Sequence, residues 1–214
     1  MTVPRAMVLK TVTRCVVLIA AASLLAGCIS LFPEGDPIQL YRFGATMPPL
    51  REMASGEPSF GVYIAATGFD RPAAGDRILT VTGTQAAYIK NARWVTSSVG
   101  LFDSALHRAF DADPGAARLV DRAEIAKVDY VLKLDVRTFE ARYDNGQASA
   151  PTIVVDVRAT LNRTHDRVVV GERSFKTSFV AGDNRVRAIV EAFDQAIVKV
   201  LGEMVAWVDA RGEG

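Results

Sequence analysis

Cys15 and Cys28 are the only thiols in the chain, and His107 and His165 are its only imidazoles. A thiolate can act as a nucleophile or ligate a soft metal, and an imidazole can move a proton near neutral pH or bind a metal. Neither type recurs at a spacing that assembles a site. Two thiols cannot make a four-thiolate zinc centre or a disulfide scaffold, and the two histidines lie 58 positions apart. Ser104 and His107 stand three residues apart on one predicted helix, which could bring a hydroxyl to an imidazole but reads as a surface pair. His165 falls in a predicted turn, where its polarity alone accounts for it. Asp111 and Asp113 could serve as paired carboxylates, yet they lie just before Pro114-Gly115 and read as a helix end. The phosphate loop G-x-x-x-x-G-K-[ST], the elbow G-x-S-x-G, the zinc helix H-E-x-x-H and C-x-x-C do not occur. No catalytic residues, no metal ligands and no cofactor are therefore expected.

Composition narrows the field further. With 25 Lys+Arg against 24 Asp+Glu, a formal net charge of +1 leaves no basic excess for nucleic acid. Half of the 214 residues are apolar, ample for the core of one domain.

Chemistry of a different kind is written into the first 28 residues. Arg5, Lys10 and Arg14 form a positive region without acids, followed by the apolar run Cys15 to Leu25. That run has the length of a signal-peptide core and falls short of the roughly 20 residues that span a bilayer. It ends in Leu25-Ala26-Gly27-Cys28, which resembles the lipobox of bacterial lipoproteins. Leu25 with the small Ala26 and Gly27 would be the signal-peptidase recognition residues, and the Cys28 thiol would take up a diacylglycerol. On this reading residues 1–27 are a signal peptide that is removed. Cys28 then starts the mature chain, carrying the diacylglycerol and an N-acyl chain, and residues 28–37, with Pro33, Gly35 and Pro37, form a lipidated tether. Cys15 leaves with the signal segment, so the mature chain keeps no free thiol. Three acyl chains hold to a membrane far more firmly than one. An Asp directly after the lipidated Cys would favour the inner membrane; the residue there is Ile29, so the expected address is the periplasmic face of the outer membrane.

The remaining chain, 38–210, reads as one domain. Ile38 to Phe43 is a first strand candidate, Ala45 to Pro58 a loop, Ser59 to Ala65 a strand, and Gly68 to Gly75 a second loop. Arg77 to Thr82 and Gln85 to Lys90 pair around Gly83-Thr84, with Asn91 to Trp94 closing the pair. Ser97 or Ser98 caps a helix over Val99 to Asp111, where Val99, Phe102, Leu106 and Phe110 share a face. After a short strand at Ala117 to Val120, the segments Asp129 to Glu140, Thr152 to Asn162 and Arg167 to Val180 make an antiparallel meander. In the first of these, Tyr130, Leu132, Leu134, Val136 and Thr138 are expected on one face. Arg185 to Val208 is a helix of about six turns whose reverse face carries Arg187, Glu191, Asp194, Gln195 and Glu203. The expected architecture is a two-layer α+β domain, a mixed, mainly antiparallel β-sheet with two α-helices packed on one face.

Several spaced residues also carry a family likeness. Asp76-Arg77, Tyr88-x4-Arg93-Trp94, the helix set Leu101, Leu106 and Phe110, then Asp129-Tyr130-Val131-Leu132, Ala192-Phe193-x2-Ala196 and Trp207 together resemble the ABC-type transport auxiliary lipoproteins. The resemblance implies a non-enzymatic partner of a mammalian-cell-entry (MCE) domain protein, within a system that moves phospholipid between inner and outer membranes. The permease and ATPase of such systems are separate chains, and a homo-oligomer is compatible with the likeness. Arg93 and Trp94 are the candidate partner contact, because Arg and Trp are enriched in interface hot spots. The alternative puts Trp94 under the adjoining loop with Arg93 paired to an acidic neighbour. Trp207 and Tyr88 read as core. Two other functions compete: an assembly lipoprotein of another envelope or secretion complex, and an enzyme acting on lipid or cell wall.

The lipobox reading has a direct test. Cys28→Ser is expected to leave a full-length precursor that takes up no radiolabelled palmitate, while Ile29→Asp is expected to move the protein toward the inner-membrane fraction. Equal labelling of the Ser variant would remove Cys28 as the acceptor.

Overall fold

The computed structural model describes residues 36–46, 60–121 and 128–212. The elements run β1 (Gln39–Tyr41), β2 (Phe60–Ile64), β3 (Gly68–Phe69), α1 (Arg71–Ala74), β4 (Arg77–Thr82), β5 (Gln85–Trp94) and α2 (Ser98–Ala112). There follow β6 (Ala117–Leu119), β7 (Tyr130–Arg142), β8 (Thr152–Arg163), β9 (Val169–Val180) and α3 (Val186–Gly212). All belong to one compact unit, Ile38–Gly214. Among the described residues no helix is long and apolar enough to cross a membrane.

Among the described residues one mixed, open sheet of nine strands holds the domain. Its spine is β7, which pairs antiparallel with β8 along one edge, and β8 pairs antiparallel with β9. Along its other edge β7 receives three parallel partners in succession: β2 at Val131, β3 at Val136 and β4 at Ala141. Strand β6 adds to β2, β5 to β4, and β1 to β5, the first and last of these in parallel. The two long helices touch each other; α3 packs on β8 and β9, and α2 packs beside β6. This is the two-layer α+β arrangement expected from the pattern, with α1 as an additional short helix.

The register of β7 shifts between Val136 and Thr138, leaving Arg137 as an extra residue opposite β8. Side chains alternate along a strand, so one inserted residue exchanges the two faces beyond it. Thr138 is therefore only partly buried, contrary to the alternation, and Phe139 and Ala141 turn into the core in its place. Phe139 then meets Phe193 of α3 at 4.8 Å between ring centroids, Phe43 at 5.2 Å and Phe69 at 5.6 Å.

Other departures have comparable causes. The segment Gly68 to Gly75 is not a plain loop; β3 and α1 form there because β7 offers a free edge at Asp135 and Val136. Strand β5 continues unbroken in direction to Trp94, pairing with β1 beyond the hairpin, and accommodates the register shift with Asn91 at φ +56°. Strand β1 ends at Tyr41, and the chain then dives inward: Phe43 is buried, and Gly44 adopts φ +71° where a Cβ would approach 2.7 Å from that of Ala105. Asp194 belongs to the core side of α3, not its reverse face, being 7% exposed. Its carboxylate accepts the Ala45 N–H at 2.9 Å and the Thr46 hydroxyl, so burial is compensated by hydrogen bonds to the entering chain. Ser97 is the α2 cap, accepting the Gly100 N–H at 3.1 Å, while the buried Ser98 donates to the Gly75 carbonyl at 3.0 Å. Helix α3 extends past Val208 to Gly212. Trp207 near its end stacks on Phe175 at 5.7 Å and fits over Gly171, where a Cβ would sit 2.8 Å from its ring.

The ends of α2 and α3 meet at two acids. Asp113 accepts the Gly115 N–H and Asp209 accepts the Ala117 N–H, each at 2.7 Å. Burial first, then the hydrogen bond and charge of Asp113, push the Asp209 carboxyl up from 3.8 to about 6, against Ala117 N–H and Arg118, which favour ionisation.

Two stability outcomes follow from this packing. Phe193→Ala should lose about 3–5 kcal/mol, seen as a fall of roughly 10 °C in Tm, whereas Glu191→Ala on the exposed side should melt like the parent. For Asp209 the raised folded pKa means that the folded state holds more protons than the unfolded state between about 4 and 6, so its contribution falls as pH rises through that window. The Tm difference between the parent and Asp209→Asn, measured by calorimetry from acid to neutral pH, should therefore shift against the parent as pH rises; a difference independent of pH would show that Asp209 titrates normally.

Candidate functional site

Arg93 and Trp94 are neighbours on β5, and successive residues of a strand point to opposite faces. Only one of the two can therefore lie on the surface. Trp94 is 2% exposed and stacks edge-on against Phe43 at 5.0 Å and Phe193 at 5.4 Å. As a surface contact for a partner it is corrected: the ring is part of the core. Arg93 points outward, and its guanidinium bonds both carboxylate oxygens of Asp76 at 2.9 and 3.1 Å. Arg77, opposite Arg93 in the ladder, lies over the Tyr88 ring at 3.9 Å. This edge is thus an outward cationic strip laid over an inward aromatic cluster.

The lipobox residues Leu25, Ala26, Gly27 and Cys28 lie outside the described residues, as do most of the tether and the loop before β2. The Ser104 hydroxyl donates to the Gly100 carbonyl at 2.7 Å, one turn back on its own helix, so it is engaged with backbone and not with His107. His107 borders an open cavity of about 350 Å³ with Tyr63, Ile64 and Asp103, and the Thr67 hydroxyl donates to Asp103 at 2.7 Å. His165 is exposed in the β8–β9 turn, 3.5 Å from Asp166, whose carboxyl is held below its ordinary value chiefly by the Val168 N–H. Asp111 is exposed near the end of α2, and Asp113 belongs to the carboxyl pair with Asp209. That pairing joins residues 96 positions apart and leaves no trace in local sequence pattern. Among the described residues no three His, Cys, Asp or Glu side chains gather as a metal would need.

Two further concavities lie away from these residues. One of about 540 Å³ sits beside the β4–β5 hairpin, lined by Thr80, Thr82, Gln85, Ile89, Tyr143 and Gln147. Another of about 310 Å³ opens on the exposed side of the meander, where Lys133, Arg163 and Arg167 surround Val131. The uncovered face of β7, β8 and β9 is otherwise a field of matched charges: Arg158 pairs with Glu172, Arg137 with Asp135, and Ser174 donates to Asp156 at 3.2 Å. None of these arrangements joins a nucleophile to a base. What they offer is shape and charge for contact.

The comparisons with known proteins agree in direction. The family model described as the ABC-type transport auxiliary lipoprotein component matches residues 69–205. A Xanthomonas campestris crystal structure of the DUF330 family is similar at 26% identity, covering 82% of this chain and 97% of that one, with a TM-score of 0.67. A second, uncharacterized protein of solved structure shares the fold at 13% identity, with coverage of 81% and 99% and a TM-score of 0.62. A Chlamydia trachomatis protein shares it at 11% identity, with coverage of 72% and 97% and a TM-score of 0.51. No curated protein matches the chain. Since the family model spans most of the folded unit, from β3 to within α3, the chain belongs to the ABC-type transport auxiliary lipoprotein family.

Proposed function

We propose that this protein is a non-enzymatic, lipid-anchored subunit that couples an MCE-domain protein of an ABC-type lipid transporter to the outer membrane. Cys28 carries the acyl chains, and the domain is held on the periplasmic face. The observation that carries this reading is the conjunction of the family match over residues 69–205 with Leu25-Ala26-Gly27-Cys28 at the start of the chain. An anchored subunit needs a stable domain with contact surfaces, and the site geometry suits that role. Phospholipid is the cargo, moved between the inner and outer membranes by chains that bring their own permease and ATPase. With Trp94 in the core, the partner is met by side chains that project outward, the charged face of β7 to β9 foremost. Rim charges of this kind steer encounter and choose partners more than they add affinity.

The test is affinity capture of the full-length chain from detergent-solubilised membranes, with mass spectrometry of what comes with it. An MCE-domain protein, a permease and an ATPase are the expected companions. Removing two cations of this face, Arg158→Gln and Lys176→Gln, the latter exposed on β9 opposite Asp156, should weaken their recovery about tenfold, a loss of about 1.4 kcal/mol, with the melting curve little changed. Recovery of a different secretion or envelope machine in their place would favour the assembly-lipoprotein alternative.

A further inference from the structure

The described residues expose few large apolar side chains, and three of them share one place. Ile38 is 54% exposed, Leu40 61% and Val95 54%. Ile38 and Leu40 lie two apart and so project to the same side of the β1 edge. Leu40 is opposite Arg93 in the parallel ladder, and Val95, two residues beyond Arg93, donates its N–H to the Tyr41 carbonyl at 2.7 Å. The three therefore form one outward cluster, on the face opposite Trp94. Arg93 and Arg77 flank it, with Asp76 held by Arg93, and the exposed Arg42 follows directly after the strand.

We propose that this edge rests on the phospholipid surface to which the chain is anchored. The proposal depends on acylation at Cys28, from which Ile38 is ten residues away, a contour of no more than about 36 Å. No other part of the folded unit is so close in chain length to the acyl group. A tethered contact is effectively intramolecular, so three side chains that would bind a membrane only feebly in free solution suffice to orient the domain. Aliphatic side chains flanked by arginines suit such a surface: the former enter the headgroup boundary, and Arg42 and Arg77 can bond lipid phosphates while Arg93 stays paired with Asp76. A second strand adding to β1 fits less well. The edge has three paired residues, and Pro37, two places before the first of them, lacks an N–H to give.

The experiment uses the full chain, expressed with its own leader, purified from membranes in detergent and placed in vesicles of phosphatidylethanolamine and phosphatidylglycerol at 3:1. Leu40→Cys, or Lys133→Cys on the meander as a comparison, supplies a thiol for an environment-sensitive fluorophore. The probe at position 40 should shift to the blue and be quenched by brominated acyl chains at least threefold more than the probe at 133. Adding Ile38→Asp and Val95→Asp should return it to the level seen at 133 without changing the melting curve. A chain that carries its acyl groups and floats with the vesicles, yet shows no difference between the two probes, overturns this inference and leaves Cys28 in place. A chain whose mass shows no acylation overturns the Cys28 reading and, by removing the tether, this inference with it. Shielding at position 40 that ignores brominated lipid and grows with protein density would assign the edge to a second copy and overturn the membrane contact.

Discussion

The bulge at Arg137 is the constraint on which the core depends. Without it, β7 would carry Thr138 inward and Phe139 outward, and the inner face would lose the ring that touches Phe43, Phe69, Trp94 and Phe193. Those aromatics come from the first strand's exit, β3, β5 and the last helix, elements that are far apart in sequence. Tilted and edge-to-face ring contacts at about 5–6 Å add to the stabilisation from burial alone. The same change of parity leaves Glu140 and Arg142 paired on the outer side beyond the bulge. One extra residue in one strand thus closes the core and keeps the uncovered face polar.

The spine's second property is that one of its edges is shared among three partners. β2, β3 and β4 each take a short stretch of β7 in chain order, so this part of the chain runs alongside one edge of the spine in a single direction, while α2 lies against α3 on the covered face. The entry of the chain is secured at the far side of this arrangement. Phe43 fills the aromatic cluster, Gly44 passes close to α2, and Asp194 binds the backbone and hydroxyl that follow. The residues that follow β1 are therefore tied to the last helix, which fixes the first described strand to the core.

This organisation suits a family of auxiliary lipoproteins. Under the proposed function, a domain that holds one membrane and meets a partner needs a rigid middle and two kinds of outer surface. The apolar and cationic edge at β1 and the matched charges on the meander differ in that way, and both are carried by strands whose inner faces are packed.

Much of the architecture was legible along the chain. Local periodicity depends on which side of a strand or helix each residue occupies, and so β7 to β9, α2, α3 and the α+β class could be read within a few residues, and the helix cap narrowed to Ser97 or Ser98, of which the fold uses Ser97. The proposed lipobox rests on another kind of signal: Leu25-Ala26-Gly27-Cys28 is a linear pattern that a peptidase would meet as extended chain, with no fold required. What tertiary structure alone decided are the places where a distant group overrides the local pattern. Phe139 replaced Thr138 because pairing with β8 required a bulge, and β3 formed because β7 had an edge to spare. Asp194, polar on a helix whose pattern put it outside, was drawn in by donors nearly 150 positions upstream. Arg93 and Trp94 looked like one contact as a pair of residue types, but a strand separates neighbours onto opposite faces, and only the folded sheet showed that the core had taken the Trp. Local sequence sets which residues can share a face; the free energy of burying that face against the rest of the chain settles which of them do.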